Sequence, residues 1–208
     1  MITKKGFDMR KDWGIINEHI GSDMIRLFHV GFQIIEKPDI GVGRRNADFA
    51  QGFYLSSDEE FSRRWARERK DSKTYLNTYV LNLEGLRVKV FERNAEWFEY
   101  IFSNRAGHPD VLDSYDVITG PIANDTIYDT WGIVTSGLLE KETALRILEI
   151  GPAYNQTVIK TLKAVKALTF CGASVIGNEE IDSYRSAVEI EEKNFQEQMA
   201  KILESSDP

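Results

Sequence analysis

Residues 48–56 read Asp48-Phe49-Ala50-Gln51-Gly52-Phe53-Tyr54-Leu55-Ser56, and Phe28-His29-Val30-Gly31 stands upstream of them. In the first, a glycine leads into an aromatic and aliphatic run, the signature of a short strand entered through a tight turn. Side chains on a strand alternate, so Phe53 and Tyr54 face opposite sides. Aromatic residues on strands usually pack in a core, and Phe53 reads that way. Tyr54, on the second face, can offer its ring to a flat ligand. In the other block, residues 24–30 form a strand that runs into Gly31. His29 is either a core histidine satisfied by a backbone carbonyl or a ligand contact, with Gly31 letting a ligand approach the main chain.

Working outward, residues 37–48 hold a proline, two glycines and Arg44-Arg45, so they form a loop. Ser57 and Glu60 have capping-box spacing, which predicts a helix to about Lys70 that buries Phe61 and Trp65. Residues 75–83 and 86–91 read as two strands joined at Glu84-Gly85. Asn94 caps a helix whose inner face carries Trp97, Phe98, Ile101 and Phe102. Residues 115–119 form a strand that stops at Gly120-Pro121. Two helices are expected over 125–135 and 140–149, the second with Ala144, Leu145 and Leu148 inward. Strands follow at 156–160 and 167–171, with a short connection between them. This order indicates an α+β domain with a mostly antiparallel sheet.

Three parts are expected: an arm over residues 1–23, a domain over 24–175, and a C-terminal helix over 179–205. In that helix Ile181, Val188, Phe195 and Ile202 recur every seven residues, with Tyr184 and Met199 beside them. Such a seam needs a partner surface. It either folds back on its own domain or docks on a second chain.

A net charge of −7 disfavours generic binding to phosphate backbones. The single cysteine, Cys171, excludes an intrachain disulfide, and it lies in an apolar strand context unlike that of a reactive thiol. His19, His29 and His108 have no ligand spacing, so a dedicated metal site is not expected. The sequence holds no Walker loop, GxGxxG or GxSxG. With no apolar run of spanning length and a polar N-terminus, the expected location is the cytoplasm, away from membranes.

In order, FHVG at 28–31 and FAQGFYLS at 49–56 resemble the ADP-ribosyltransferase superfamily, on its diphtheria-toxin and poly(ADP-ribose) polymerase side. More closely, the chain is similar to a bacterial family of unknown function built around FHxG, DFxxGFY, WA, YDVITGPIAND and a late Asn-Gln strand. The resemblance covers residues 24–172 and implies a split antiparallel sheet with flanking helices and NAD as substrate. It implies that His29 binds a ribose hydroxyl, Gly31 holds the nicotinamide carboxamide through its backbone, and Tyr54 stacks on the nicotinamide. Arg44 and Arg45 would reach the pyrophosphate, and Phe53 belongs to the same NAD-binding block. At the third signature position this chain offers Gln156 in place of the usual glutamate. A neutral amide can bind the 2′-hydroxyl but supplies neither a base nor charge. Asp125 or Asp116 is the candidate for the missing carboxylate.

The function so implied is mono-ADP-ribosyl transfer to a macromolecule, with a protein acceptor favoured over nucleic acid by the acidic charge. An intracellular toxin or effector fits this reading, with the C-terminal helix binding a small neutralising partner or a second copy. The alternatives are a degenerate module that binds NAD, ADP-ribose or a protein without turnover, and an NAD glycohydrolase.

Overall fold

A computed structural model describes residues 23–123, 141–151 and 154–205. The described strands form two sheets. In the first, β1 (Met24–Gly31), β3 (Thr74–Asn82) and β7 (Leu168–Ile176) pair antiparallel in the order β1-β3-β7. In the second, the order is β2 (Phe53–Leu55), β6 (Asn155–Ile159), β5 (Val117–Pro121) and β4 (Val88–Val90). This sheet is antiparallel except for the parallel β4–β5 pair. Among the described residues a single bridge couples the two sheets. Phe28 N–H donates to Ser56 O at 2.8 Å, and Ser56 N–H returns a bond to Phe28 O at 3.0 Å. The α+β class expected from the sequence is the one observed.

Alternation builds the core between these sheets. Leu27, Phe53, Leu55, Tyr79, Val117 and Ile159 turn inward from both and are buried together. A second cluster forms where α2 (Ala95–Arg105) covers β5 and β6: Trp97, Phe98 and Ile101 pack on Phe49, Ile118 and Val158. Asn94 caps this helix by accepting from Trp97 N–H at 3.1 Å, as its sequence position predicts. The remaining described helices are α1 (Glu59–Arg64), α3 (Lys141–Leu148), α4 (Leu162–Ala167) and α5 (Asn178–Glu204).

Several local expectations need correcting. Asp58, not Ser57, caps α1, its Oδ1 accepting from Phe61 N–H at 2.9 Å. The helix ends at Arg64 because the chain must turn back in time to start β3 at Thr74. Part of that turn is the Arg69–Ser72 bridge, with Asp71 at φ 60°. The expected burial of Trp65 fails: it meets Phe61 edge-on, with ring centroids 6.1 Å apart, but is 54% exposed, while the other side of Phe61 stacks on Tyr154 at 4.1 Å. The turn at Glu84-Gly85 forms, with Gly85 at φ 70°, but no hairpin follows. Both edges of β3 are already taken by β1 and β7, so β4 crosses to the other sheet and pairs with β5. β5 runs on through Gly120 and Pro121. The short connection expected over 161–166 instead carries α4, which Thr161 caps and which takes in Ala167, expected as the start of the last strand. β7 extends to Ile176, and Cys171 on it is exposed rather than apolar-packed. Residues 1–22 of the expected arm and the expected helix at 125–135 lie outside the described residues. No helix among the described residues is long and apolar enough to cross a membrane.

The C-terminal helix packs on its own chain. Ile181 is 2% exposed in a cluster with Phe28, Ala66, Leu76 and Ile176, so the helix is anchored directly beneath β1. Arg63 pairs with Glu180 at 2.8 Å, and Arg64 pairs with Glu191. Val188, Phe195, Met199 and Ile202 are half-buried along the seam, where α5 lies against α1 and α3. Truncating Ile181→Ala is expected to cost about 2–5 kcal/mol of unfolding free energy, the range for a buried isoleucine. Urea denaturation checks this, and a change below about 0.5 kcal/mol, typical of surface sites, would show that the docking contributes nothing.

Candidate active site

The site is built where the two sheets part. Beyond the Phe28–Ser56 bridge, the next hydrogen-bonded antiparallel pair would be Val30 with Tyr54, but no such pair forms among the described residues. The strands splay, and a side chain fills the gap: His29 Nδ1 lies 2.8 Å from Tyr54 O. A carbonyl oxygen only accepts, so Nδ1 carries the proton, and in the neutral ring Nε2 is left with its lone pair. Nothing among the described residues bonds Nε2. A Cβ placed on Gly31 would lie 3.3 Å from that nitrogen, so the glycine keeps it approachable. Phe53 packs behind the imidazole, with ring centroids 4.6 Å apart. Burial lowers the His29 pKa below its ordinary 6.5, and the bond to Tyr54 only partly opposes this.

Tyr54 lies on the opposite face of β2 from Phe53, as alternation requires. Its hydroxyl donates to Ala50 O at 2.6 Å and accepts from Phe49 N–H at 3.0 Å. Both partners lie in the turn before the strand, where Ala50 takes φ 60°. The ring is therefore locked in orientation, and burial pushes its pKa upward, which keeps the hydroxyl neutral. The turn fits because Gly52 has no side chain. A Cβ there would meet Val158 Cγ1 at 2.5 Å and Ile159 O at 2.7 Å. Gly43 crosses over it equally closely, which carries Arg44 to the rim.

His29, Tyr54, Arg44 and Gln156 line one cleft of ≈ 430 Å³, within the usual size of small-molecule sites. Its floor is a buried polar network. Asp48, 8% exposed, accepts from Arg105 Nε at 2.7 Å on one oxygen. The other oxygen accepts from Gln156 Nε2 at 2.8 Å and from Ala123 N–H at 3.3 Å. Trp65 and Phe61 of the α1 segment, with Ser56, Ser62 and Ile122, close the remaining wall. A second depression of ≈ 550 Å³ lies over residues 68–73 and Asn178, but it is made of solvent-exposed groups with no buried polar centre.

The structure thus brings His29, Tyr54, Gln156 and Arg44 together from four separate segments. Gly31 stands beside His29. Phe53 is buried behind that imidazole rather than facing the cleft, since the alternation that exposes Tyr54 must hide its neighbour. Arg45 is exposed and is not among the cleft residues. Asp116 is not a site carboxylate. It is buried at the start of β5, where it accepts from Arg87 N–H at 2.9 Å and Thr161 Oγ1 at 2.6 Å, with Lys163 3.4 Å away. Burial alone would raise its pKa, but these partners hold it below the usual carboxylate range. Asp125 lies outside the described residues. Sequence reasoning missed Asp48, Arg105 and Trp65. Asp48 heads the aromatic block, but its two charge and amide partners are 57 and 108 residues away, and nothing local announces them.

His29 has a sign-definite pH signature. A histidine with a depressed folded pKa contributes stability that is complete above its unfolded value of 6.5 and is lost as pH falls through the folded one. Wild type should therefore weaken on acidification by more than His29→Asn, whose amide nitrogen stands where Nδ1 does and can still donate to Tyr54 O but does not titrate. Urea unfolding from about pH 7.5 to about pH 5 reads the difference. Parallel profiles would show that His29 keeps its ordinary pKa.

No curated protein matches the chain. A family model described as "Protein of unknown function (DUF3990)" matches residues 25–170, the span from β1 into β7 that carries every side chain of the cleft. Because that span is well over half of the 208 residues, the chain belongs to the DUF3990 family.

Proposed function

We propose that the protein is a cytoplasmic mono-ADP-ribosyltransferase that moves ADP-ribose from NAD to a macromolecular acceptor. The observation that carries this reading is the convergence of His29 Nε2 and the locked ring of Tyr54 in one cleft, from two strands that part at a single bridge. The neutral imidazole accepts a hydrogen bond from a ribose hydroxyl. The tyrosine ring stacks on nicotinamide, and Arg44 at the rim meets the pyrophosphate. In the step itself, the bond between the nicotinamide nitrogen and ribose C1′ breaks, and its electron pair leaves with nicotinamide. The oxocarbenium ion left behind is captured by an acceptor nucleophile, which gives its proton to solvent. The protein's task is to orient the ribose and stabilise the developing positive charge. Action as a toxin or effector, held in check by a small partner protein, fits such an activity.

A second reading has its own observation. The side chain at the third position is an amide already engaged with Asp48, so no free carboxylate stands there. This favours a module that binds NAD or ADP-ribose without turnover. Hydrolysis of NAD, with water as the acceptor, is the third possibility.

Labelling a cell lysate with a tagged NAD analogue separates them. Wild type is expected to transfer label, His29→Ala to lose it by about a hundred-fold or more, and Tyr54→Ala to weaken NAD use by roughly two- to ten-fold. Nuclease and protease digests then name the acceptor class. Consumption of NAD without label means water is the acceptor, and the absence of both label and consumption favours the binding module, which NAD binding by the wild type then checks.

A further inference from the structure

We propose that Asp48 is the positioning residue of the cleft, holding the Gln156 amide so that the pair together does the work of a single carboxylate. The proposal rests on the ADP-ribosyl-transfer reading above. Asp48 is the hub of the buried network, each oxygen committed to a different element. Arg105 of α2 takes Oδ1 at 2.7 Å, while Gln156 of β6 takes Oδ2 at 2.8 Å. Its main chain is tied down as well, with Asn104 Nδ2 donating to Asp48 O at 2.9 Å. An ionised carboxylate only accepts, so the amide NH₂ of Gln156 must face it. That leaves Gln156 Oε1 as the acceptor, at a cleft-lining position. The carboxylate polarises the amide through the shared hydrogen bond and shifts electron density toward Oε1. Because Arg105 lies on the other oxygen, the ion pair presents its negative end toward Gln156.

This arrangement also explains why glutamine stands at 156. With a glutamate there, two carboxylates would lie within hydrogen-bond distance in a buried site, and like charges that close share a proton instead of both ionising. The glutamine is thus the residue type that matches the charge already beneath it. Gln156→Glu should not improve the site; it should duplicate its carboxylate.

The test uses the full chain, with nicotinamide release from NAD, NAD binding and urea stability measured from about pH 5 to about pH 9. Gln156→Glu is expected to lower turnover near neutrality by about ten-fold or more and to recover some as pH rises and the shared proton leaves. Its stability should fall over the same rise. A carboxyl whose folded pKa is raised loses its contribution as pH climbs through that value. The exchange Asp48→Asn with Gln156→Glu restores one carboxylate and one amide. It should return kcat to within about ten-fold of wild type with a flatter profile, whereas Asp48→Asn alone should lower kcat by about a hundred-fold while KM changes less. The proposal is overturned if Gln156→Glu alone raises turnover independently of pH, or if the exchange is no better than either single change. If Asp48→Asn does not fold, the pH-dependent stability of Gln156→Glu still decides whether the two side chains are coupled, and a flat profile sinks the idea. If wild type neither binds nor cleaves NAD while that stability signature is present, the functional reading falls, and the relay's role falls with it. The side-chain pairing alone would then stand.

Discussion

The structure depends on one pair of backbone hydrogen bonds, between Phe28 and Ser56, and on the parting of the strands just past it. Had β1 and β2 continued to pair, the two sheets would join and Tyr54 O would be satisfied by a main-chain amide. Because they part, a buried carbonyl has to find another donor, and orphaned polar groups of this kind cost about 1–3 kcal/mol. His29 supplies the donor. The same bond fixes its tautomer and leaves its second nitrogen without a hydrogen bond to any described residue. A structural requirement and a chemical capacity are thus met by one side chain. The loop after β1 is held in the same way: Asn77 accepts from Ile35 N–H at 2.9 Å and donates to Gln33 O at 3.0 Å, and Tyr79 donates to Ile35 O.

The opposite wall is held by buried charge. Asp48 with Arg105 anchors the start of the turn, and Lys160 with Asp110 anchors its middle, since Lys160 Nζ also donates to Phe49 O at 2.9 Å. Tyr100 completes the second group by donating to Asp110 at 2.7 Å. Burying ions is costly unless each is paired and hydrogen-bonded, and replacing such pairs with apolar residues often leaves stability unharmed. What these pairs achieve here is placement. They hold residues 48–50 against α2 and β6, and the Tyr54 hydroxyl closes on that turn. The tyrosine ring is therefore oriented by electrostatics several residues away from it.

The C-terminal helix is tied to the same centre. Ile181 shares its cluster with Phe28, the residue that makes the bridge. Glu191 reaches Tyr154, which stacks on Phe61 at the cleft wall. The part of the chain that reads as a separate amphipathic appendage is, in the folded protein, packed under the strand that carries His29.

The residues of the cleft were legible in the sequence to different degrees. His29, Gly31 and Tyr54 could be identified because each sits in a short local pattern, a strand ending at a glycine or a glycine leading an aromatic strand, and local pattern reports which face a side chain takes. The strands, the Asn94 cap and the long amphipathic helix were legible for the same reason. Pairing was not. Whether β4 joins β3 depends on whether the edges of β3 are free, and that is settled by β7, far along the chain. Trp65 was expected in the core because i, i+4 spacing sets it beside Phe61; it does meet that ring, but at the C-terminal cap of a helix cut short by the return to β3 it stays exposed. Asp48 could be seen only as the head of an aromatic block, since its meaning comes from Arg105 and Gln156, which sequence distance hides. By itself, then, the sequence determined most of the elements, most of their buried faces and two of the cleft's aromatic and imidazole groups, because these follow from periods of a few residues. The tertiary structure alone decided where the sheets part, which carboxylate lies under Gln156 and which strand edges are taken, because these follow from contacts between segments with no local relation.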